Sequence, residues 1–351
     1  MTENPAGAAP HEAGSWDAQV LASQPHPHFM QSEAWAEIKA PYGWTAEHAP
    51  AVTAARGVGG RPAVQTFRRH APLIGGVVHA PRVSGLSAET VAGFTELAES
   101  RADGRVAAFK LEPYQELNED VVAAFLDGGW RIGDITQYRH GVTVSLAGSE
   151  EDVWMSFKSR ARTDVNAAVK KNGVTASRVP LTEENIETLA MLIGETQDRS
   201  GAFFRARSYL ERTWRAFDER GEGRLYFAYI DGRTVAAAFV FTFGLNAWYK
   251  DGGSLRSDNN SHAARQLHWK IMQDLIADGY ENYDLGNIPD LENPNESGMR
   301  GLFQFKTGFA RETTQYLPAL EYPLSKRFAR WQRHESTLIT IMFKKNKDYW
   351  Y

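Results

Sequence analysis

The chain has 351 residues, of which 42% are hydrophobic and 12% aromatic, enough to form the cores of two domains. Its formal net charge of −4 at pH 7 excludes a uniformly basic nucleic-acid coat, so any contact with a polyanion requires a local basic patch. The absence of cysteine excludes a disulfide framework, a thiolate nucleophile and a cysteine-ligated zinc or iron–sulfur site.

Neither the N-terminal segment nor the longest apolar run has the features of a signal peptide or a membrane span. Residues 1–20 lack a basic segment followed by an apolar core, which predicts a flexible tail and not a signal peptide. The longest mainly apolar run, at 235–248, is too short and too interrupted to span a bilayer. We therefore expect a cytoplasmic protein without a transmembrane segment.

The first block of the chain alternates strands with helices. In chain order, we predict strands at 63–72 and 74–81, a helix at about 86–101, a strand at 105–114, a helix at about 118–127 and a strand at 134–146.

A basic segment at 149–174 separates this block from the next. Apolar residues recur every three or four positions, which predicts a helix with one buried face: Trp154, Phe157, Ala161, Val165 and Ala168. The remaining surface is cationic and carries Lys158, Arg160, Arg162, Lys170 and Lys171. A solvated helix face and a phosphate-binding surface are both compatible with this pattern, as they are for the basic C-terminal tail at 326–350.

The second block repeats the succession of hairpin, helix and strand. Asp231-Gly232 between two apolar runs is a strong hairpin signal, and a strand follows at 246–254. A helix is predicted between Ser261 as its N-cap and Gly279 as its stop, before a strand at 280–288. Its apolar face carries Ala264, Leu267, Ile271 and Leu275, whereas His262 and His268 are interpreted as surface residues.

The stretch RGLFQFKTGFA, residues 300–310, has strand-like alternation with a lysine among phenylalanines. Phe303, Phe305 and Phe309 suggest a buried face, and Lys306 stands beside them. Lys306 either points to water on the opposite face, or it is a cation among apolar residues that can stabilise negative charge on a reacting group. Together the two blocks predict a mixed α/β fold in two tandem domains.

Four stretches in order resemble the Fem family of tRNA-dependent peptidoglycan aminoacyltransferases. They are FMQSEAWAEIKAPYGW at 29–44, FKSRARTDVNAAVKKNGV at 157–174, WYKDGGS at 248–254 with the following DGYENYDLGNI, and GLFQFKTGF at 301–309. The resemblance implies two domains of the Gcn5-related acetyltransferase (GNAT) type, in a compact form without the coiled-coil arm of longer members. We expect domain 1 at 1–147 plus 312–351 and domain 2 at 148–311.

The resemblance also implies a reaction, in which an amine of a stem peptide attacks an aminoacyl ester on tRNA. The ester is already activated, so the enzyme needs to align the reactants and stabilise an oxyanion, and it needs neither a covalent nucleophile nor another cofactor. The family's Phe-Lys pair corresponds to Phe305 and Lys306, at the aminoacyl end of the tRNA site. The implied partners are aminoacyl-tRNA and a UDP-linked or lipid-linked muropeptide, with peripheral membrane contact in the second case.

Six further residues correspond to substrate contacts of the family. Lys39 and Arg205 match its phosphate contacts, with Arg207 or Arg199 as the competing choice for Arg205. Tyr209 lies four residues after Arg205, which places both on one face where this segment is helical. Tyr249 matches a further tyrosine, although Asp251 stands where the family has a second aromatic residue. Glu112 and Tyr114 are candidates for lining the muropeptide groove.

Two carboxylates have distinct expected roles, one in proton transfer and one in hydrogen bonding at a strand end. The attacking amine must lose a proton, and a carboxylate such as Glu112, a water chain or the substrate itself could accept it. Asp284 is interpreted as a hydrogen-bond partner of backbone N–H groups at a strand end. The ten histidines show no spacing typical of a metal site.

Three alternatives stay open at this point. An acyl-CoA-dependent N-acyltransferase would have a related fold, although 252–265 lacks a compact glycine-rich turn for binding pyrophosphate. A tRNA-dependent transferase could act on a secondary metabolite or a protein N-terminus. A binding module without activity could also keep the fold.

Overall fold

The structure, a computed structural model, describes residues 11–54, 59–71, 75–134, 136, 139–200, 205–255, 262–290, 299–346 and 351. It divides into two compact units. The first unit contains His11–Arg139 and Gln315–Tyr351, and the second contains His140–Thr314.

The helices and strands are distributed over both units. The helices are α1 Trp16–Ser23, α2 Glu33–Lys39, α3 Val91–Ser100, α4 Glu119–Asp127, α5 Glu150–Ser156, α6 Ser159–Asn172, α7 Glu183–Ser200, α8 Arg207–Glu219, α9 Ala263–Ala277, α10 Arg300–Lys306 and α11 Phe328–Asn346, with short 3-10 turns at Phe29–Gln31, Ala40–Tyr42 and Ala88–Thr90. The strands are β1 Thr45–Ala49, β2 Val64–Ala71, β3 Gly75–Val83, β4 Val106–Pro113, β5 Arg131–Ile132, β6 His140–Ser145, β7 Thr175–Val179, β8 Gly223–Ile230, β9 Arg233–Phe243, β10 Asn246–Ser254, β11 Asn282–Asn287, β12 Thr314–Gln315 and β13 Leu320–Pro323.

Each unit is built on one mixed sheet. The strand order is β1-β2-β3-β4-β13-β5 in the first unit and β12-β6-β11-β10-β9-β8-β7 in the second sheet. In each sheet, one parallel pair stands among antiparallel neighbours: β3 with β4, and β10 with β11. A parallel pair requires a crossover, which α3 and α9 provide. The predicted mixed α/β fold, repeated in tandem, is confirmed.

The unit boundaries differ slightly from the predicted domain boundaries. Strand β6 was expected in domain 1, but it pairs with β11 and therefore belongs to the second unit. The chain returns to the first unit at residue 315. Strand β13, a few residues later, pairs with both β4 and β5.

Helices cover both faces of the second sheet. Ala238 and Val240 of β9 share a core with α6 and α9. Phe239 and Phe241, which alternate with them, stack on Trp214 and Phe217 of α8. Successive side chains of a strand point to opposite faces, so α8 lies on the face of the sheet opposite to α6 and α9.

The strongest local predictions of the second block are confirmed. The hairpin turn between β8 and β9 has positive φ at Asp231 (48°) and Gly232 (77°), as a two-residue turn of type I′ requires. Helix α9 buries Leu267, Ile271 and Leu275, as its periodicity predicts. Its predicted N-cap, Ser261, lies outside the described residues.

Two predictions about the N-terminal tail and the basic segment need correction. Of the tail expected at 1–20, residues 11–20 are described, and α1 begins at Trp16 because Trp16 and Val20 are buried. Residues 1–10 lie outside the described part. The basic segment forms two helices, α5 and α6, because Phe157 is extended (φ −65°, ψ 149°) between them.

The strand predicted at 300–310 is wrong, because Arg300–Lys306 form helix α10. The stretch 300–310 is too short for its apolar spacing to distinguish a strand from a helix. Phe305 and Phe309 are four residues apart, and a helix also places such residues on one face. The helix ends with hydrogen bonds from the N–H of Thr307 and Gly308 to the carbonyls of Phe303 and Phe305. Lys306 is therefore the last residue of a helix.

A buried ionic cluster holds the returning segment in the first unit. Lys110 of β4 contacts Glu321 of β13 at 3.1 Å and Glu335 of α11 at 2.7 Å, and none of these side chains is more than 1% exposed. Trp331 donates to Glu321, and Tyr351 donates to Glu335. One ammonium group therefore faces two carboxylates, and burial raises the pKa of Glu335 to about 7, against the opposing attraction of Lys110.

We predict that Lys110→Met lowers the free energy of unfolding by about 3–5 kcal/mol, because it leaves two buried carboxylates without their cation. Urea denaturation measures the loss. The matched control is Lys270→Met, which removes a half-buried helix-surface pair with Asp274 and should cost less than about 1 kcal/mol. Equal losses in the two variants would contradict a stabilising role of the cluster.

Candidate active site

The parallel strands β10 and β11 separate at their carboxyl ends. They pair only at Asn246–Trp248 with 282–284, and β10 carries an irregularity between Tyr249 and Asp251. Beyond Asp284, Gly286 adopts the left-handed conformation (φ 80°), which a residue with a side chain rarely does. The two strands therefore leave a gap between Tyr249 and Gly286.

The side chain of Lys306 ends at this gap. The side chain is buried, and Nζ donates a hydrogen bond of 2.7 Å to the carbonyl oxygen of Asn287. A Cβ added at Gly286 would lie 3.5 Å from Nζ and 3.8 Å from the carbonyl oxygen of Tyr249. Both distances are ordinary van der Waals contacts, so glycine is favoured here by the positive φ of the backbone and not by lack of space.

The environment of Lys306 suits a cation that acts on a reacting group. Burial lowers the pKa of Lys306 to about 8, although Asp284 opposes this shift. At neutral pH the group is mostly protonated, and within the described part of the chain its only hydrogen bond is the one to Asn287. Two N–H donors are left to bind an oxyanion, which in a site shielded from water stabilises a transition state strongly.

Arg265 of α9 fixes the helix that ends in Lys306. Its guanidinium donates to the carbonyls of Phe305 (3.0 Å) and Gln304 (3.4 Å), the open C-terminal end of α10. It also donates to Asp164 of α6 at 3.1 Å and lies 5.0 Å from the ring centroid of Phe305. The position of Lys306 therefore depends on α6 and α9.

An aromatic wall surrounds His268 beside this helix. The imidazole lies 4.6 Å from the ring of Tyr249, 5.5 Å from Phe305 and 5.8 Å from Phe309, measured between centroids. Its Nδ1 is 2.9 Å from the hydroxyl of Tyr283. Burial, reinforced by Lys306 and Arg265, lowers the pKa of His268 to about 3, so the ring is neutral.

The prediction that His268 lies on the helix surface is wrong, since the residue is only 2% exposed. The sequence contained the signal for its burial. His268 is one position after Leu267 and three before Ile271, and both of these residues belong to the apolar face of α9. His262, by contrast, is partly exposed, as predicted.

The structure brings together some of the predicted site residues and separates others. Lys306, Phe305 and Tyr249 meet in the second unit around the strand gap. Arg205 lies before the first residue of α8, so the prediction that it shares a helix face with Tyr209 is wrong, although its guanidinium carbon lies 4.4 Å from the ring centroid of Tyr209. The remaining three predicted residues belong to the first unit, and the predicted roles of all eight stay predictions.

Lys39, a predicted phosphate contact in the first unit, is buried. It is the last residue of α2, and Nζ lies 5.7 Å from the ring centroids of both Trp35 and Trp44. These distances permit cation–π attraction. The indole rings stabilise a cation there without neutralising it.

Glu112 is held as a carboxylate. It accepts hydrogen bonds from His79 at 2.8 Å and from the N–H of Thr136 at 3.1 Å. Burial alone would raise the pKa of Glu112, but the hydrogen bond from His79, the charge of Lys110 and the bond from Thr136 hold it at about 2. Such a carboxylate is a weak base, which argues against Glu112 as the proton acceptor.

Tyr114 belongs to a cluster that sequence reasoning missed. Its ring stacks on Tyr316 with a centroid distance of 5.2 Å, and the guanidinium carbon of Arg82 lies 5.7 Å and 5.4 Å from the two centroids. Arg82 is buried and has a positive φ of 50°, which is uncommon for a residue with a side chain. No local pattern in the sequence marks this conformation.

Comparison with known proteins identifies the fold around the Lys306 site. Residues 156–306 match the acetyltransferase (GNAT) domain family. This segment is similar to a GNAT domain. The match supports an acyltransferase, and it ends at Lys306.

Solved structures extend the likeness to nearly the whole chain. The structure of FemX superposes with a TM-score of 0.76 at 19% identity, over 91% of this chain and 97% of that one. A conserved protein of unknown function from Bacteroides thetaiotaomicron gives a TM-score of 0.56 at 11% identity, over 87% of this chain and 93% of that one. The resemblance to the Fem family is thus confirmed in the fold.

Two further comparisons complete the description. No curated protein has a significant sequence match to this chain. Among the described helices, none combines the length and the apolar character that crossing a bilayer requires.

We predict that acyl transfer depends on the protonated form of Lys306. Lys306→Met should lower kcat about 100- to 1,000-fold, the usual effect of removing one oxyanion donor. In the wild type, activity should decline as pH rises through about 8, because the ammonium group then loses its proton. Lys306→Arg should lose this decline, because a guanidinium stays charged.

The pH profile of kcat measures this dependence, with Lys270→Arg on the outer surface of α9 as the control. An unchanged decline in Lys306→Arg would assign it to another group. Near wild-type turnover in Lys306→Met would exclude Lys306 from the chemistry.

Proposed function

We propose that this protein transfers an aminoacyl group from aminoacyl-tRNA to an amine of a peptidoglycan precursor, on the stem peptide where interpeptide bridges form. The observation that carries the proposal is the buried Lys306 ammonium at the gap between β10 and β11, with donors left for an oxyanion. The Fem-like order of motifs and the fold shared with FemX support the same reaction.

The proposed chemistry uses few groups of the protein. The acceptor nitrogen attacks the ester carbonyl carbon, and Lys306 donates to the oxygen that becomes negative. As the tetrahedral intermediate collapses, the bond to the ribose oxygen breaks, and that oxygen takes up a proton. The acceptor attacks as the neutral amine, after its first proton has passed to water. With a pKa of about 8, Lys306 can protonate the ribose oxygen and then take up the proton that the nitrogen of the tetrahedral intermediate loses, which restores the ammonium group.

The other predicted residues take substrate-binding roles in this proposal. Phe305 contacts the aminoacyl end of the tRNA, beside Lys306 in the same helix. In the second unit, Arg205 and Tyr209 bind phosphate and Tyr249 contacts another part of the muropeptide. In the first unit, the resemblance assigns Lys39 to phosphate and Glu112 and Tyr114 to the muropeptide, with Glu112 as a hydrogen-bond acceptor because its pKa is low.

The proposal requires aminoacyl-tRNA as co-substrate and no further cofactor. Its partners are this tRNA and a UDP-linked or lipid-linked muropeptide. Aminoacyl-tRNA places the reaction in the cytoplasm, and a lipid-linked acceptor would bring the protein to the inner face of the membrane.

A transfer assay tests the proposal directly. The purified chain is incubated with a radiolabelled aminoacyl-tRNA pool and, separately, with UDP-muropeptide or lipid-linked muropeptide. We expect the label to move to one muropeptide in an amide linkage that resists mild base. Failure with every tRNA and both acceptors, under conditions where a known transferase works, would exclude the proposed function.

The GNAT match favours a second candidate, an N-acyltransferase that uses acyl-CoA. The loop before α9, where such enzymes bind pyrophosphate, includes residues 256–261, which lie outside the described part. The same assay with labelled acetyl-CoA separates the two donors. Transfer from tRNA to a small metabolite or a protein N-terminus would appear as label on those acceptors instead.

We predict that Arg205→Ala raises KM for the muropeptide about 10- to 100-fold and leaves kcat nearly unchanged. A charge-assisted hydrogen bond to phosphate contributes about 1.5–3 kcal/mol, and such binding is equal in ground and transition states. The matched control is Arg212→Ala, an exposed arginine of the following helix α8. Equal losses in kcat and kcat/KM would argue against phosphate binding by Arg205.

A further inference from the structure

The outward face of α6 is an unbroken polar line without an acidic residue. Ser159, Thr163, Asn166 and Lys170 follow each other at intervals of four, three and four residues, and all four are exposed. The helix has one acidic residue, Asp164, which is 6% exposed and turned toward Arg265. The outward face therefore offers hydrogen-bond donors and positive charge.

The cations of this face are largely unneutralised. Lys158, Lys170 and Lys171 are exposed, and none of them forms an ion pair within the described part of the chain. Arg160 is 80% exposed and shares Asp164 with Arg265, so that two guanidinium groups face one carboxylate. The face keeps a net positive charge although the whole chain is acidic.

This face begins at the Lys306 site. The N–H of Lys158, directly before α6, donates to the carbonyl of Gly308 at 2.9 Å, two residues after Lys306. Asp164 is joined through Arg265 to the carbonyl of Phe305. From there, the 14 residues of α6 extend the cationic line for about 20 Å at the usual helical rise of about 1.5 Å per residue.

We infer that α6 is the docking surface for the phosphate backbone of the tRNA acceptor stem. The inference rests on the proposed function, since the 3′ end must reach Lys306 while the stem leads away from it. Lysine, arginine, serine, threonine and asparagine are the side chains that bind phosphate oxygens. The outward face has no aromatic side chain on which an unpaired base could stack, which favours a stem over a single strand.

The double variant Lys170→Ala/Lys171→Ala tests the surface at its far end, away from the chemistry. Binding of aminoacyl-tRNA is measured over a range of salt concentrations. Each phosphate contact contributes about 0.9 to the slope of log K against log salt, so the slope should fall by about two. The kcat at saturating tRNA should stay unchanged, whereas KM for tRNA should rise.

Three matched measurements sharpen the test. Lys170→Arg/Lys171→Arg keeps the charges and should restore the slope, which excludes a mere defect of folding. Arg212→Ala, on α8 and the opposite face of the sheet, should leave the slope unchanged. An aminoacylated CCA trinucleotide, which lacks the stem, should serve wild type and double variant equally well.

The outcomes separate this inference from the proposed function. If the wild type transfers from tRNA but the double variant keeps the full salt slope, or Arg212→Ala lowers it as much, then α6 is not the docking surface and the proposed function stands. If the wild type neither binds nor uses aminoacyl-tRNA, the proposed function fails together with this inference.

Discussion

A lysine ammonium removed from water, at the point where two parallel strands part, is the constraint on which the second unit depends. Burial of a cation is costly unless polar groups surround it, and here the carbonyl of Asn287 and the nearby Asp284 offset only part of that cost. Gly286 bends β11 beside this ammonium group with a positive φ, and Arg265 is hydrogen-bonded to the end of the helix that carries the lysine. Sheet, crossover helix and α10 thus cooperate in positioning one atom.

The two units use buried charge differently. In the first unit, Lys110 is matched by two carboxylates, so its charge is satisfied internally and serves to hold strands and helix together. In the second unit, the ammonium group of Lys306 donates one hydrogen bond within the described residues, to Asn287, so its other N–H groups can bind a ligand. A buried cation that lacks a complete set of partners is a costly feature, and such features concentrate at functional sites.

Long periodic elements could be predicted from the sequence, and short ones could not. The β8–β9 hairpin and α9 have turn chemistry or apolar spacing that only one structure satisfies. The apolar spacing of residues 300–310 fits both a strand and a helix. The helix is favoured by Arg265, 35 residues or more away in sequence, whose guanidinium donates hydrogen bonds to the C-terminal carbonyls of α10. Lys39 likewise contacts Trp44, which lies outside its helix, as well as Trp35 within it. Residue type and motif singled out Lys306 as a candidate, whereas its burial and its hydrogen bond to Asn287 required the tertiary structure.

The insertion of β13 between β4 and β5 has a consequence for synthesis. The sheet of the first unit lacks an inner strand until residues 320–323 have been made, whereas residues 140–314 form their unit from one continuous stretch. On the ribosome, the earlier part of the chain must therefore wait, with an open sheet edge, while the later part can already fold. Nascent chains that stop before β13 would expose that edge and become substrates for chaperones or proteases.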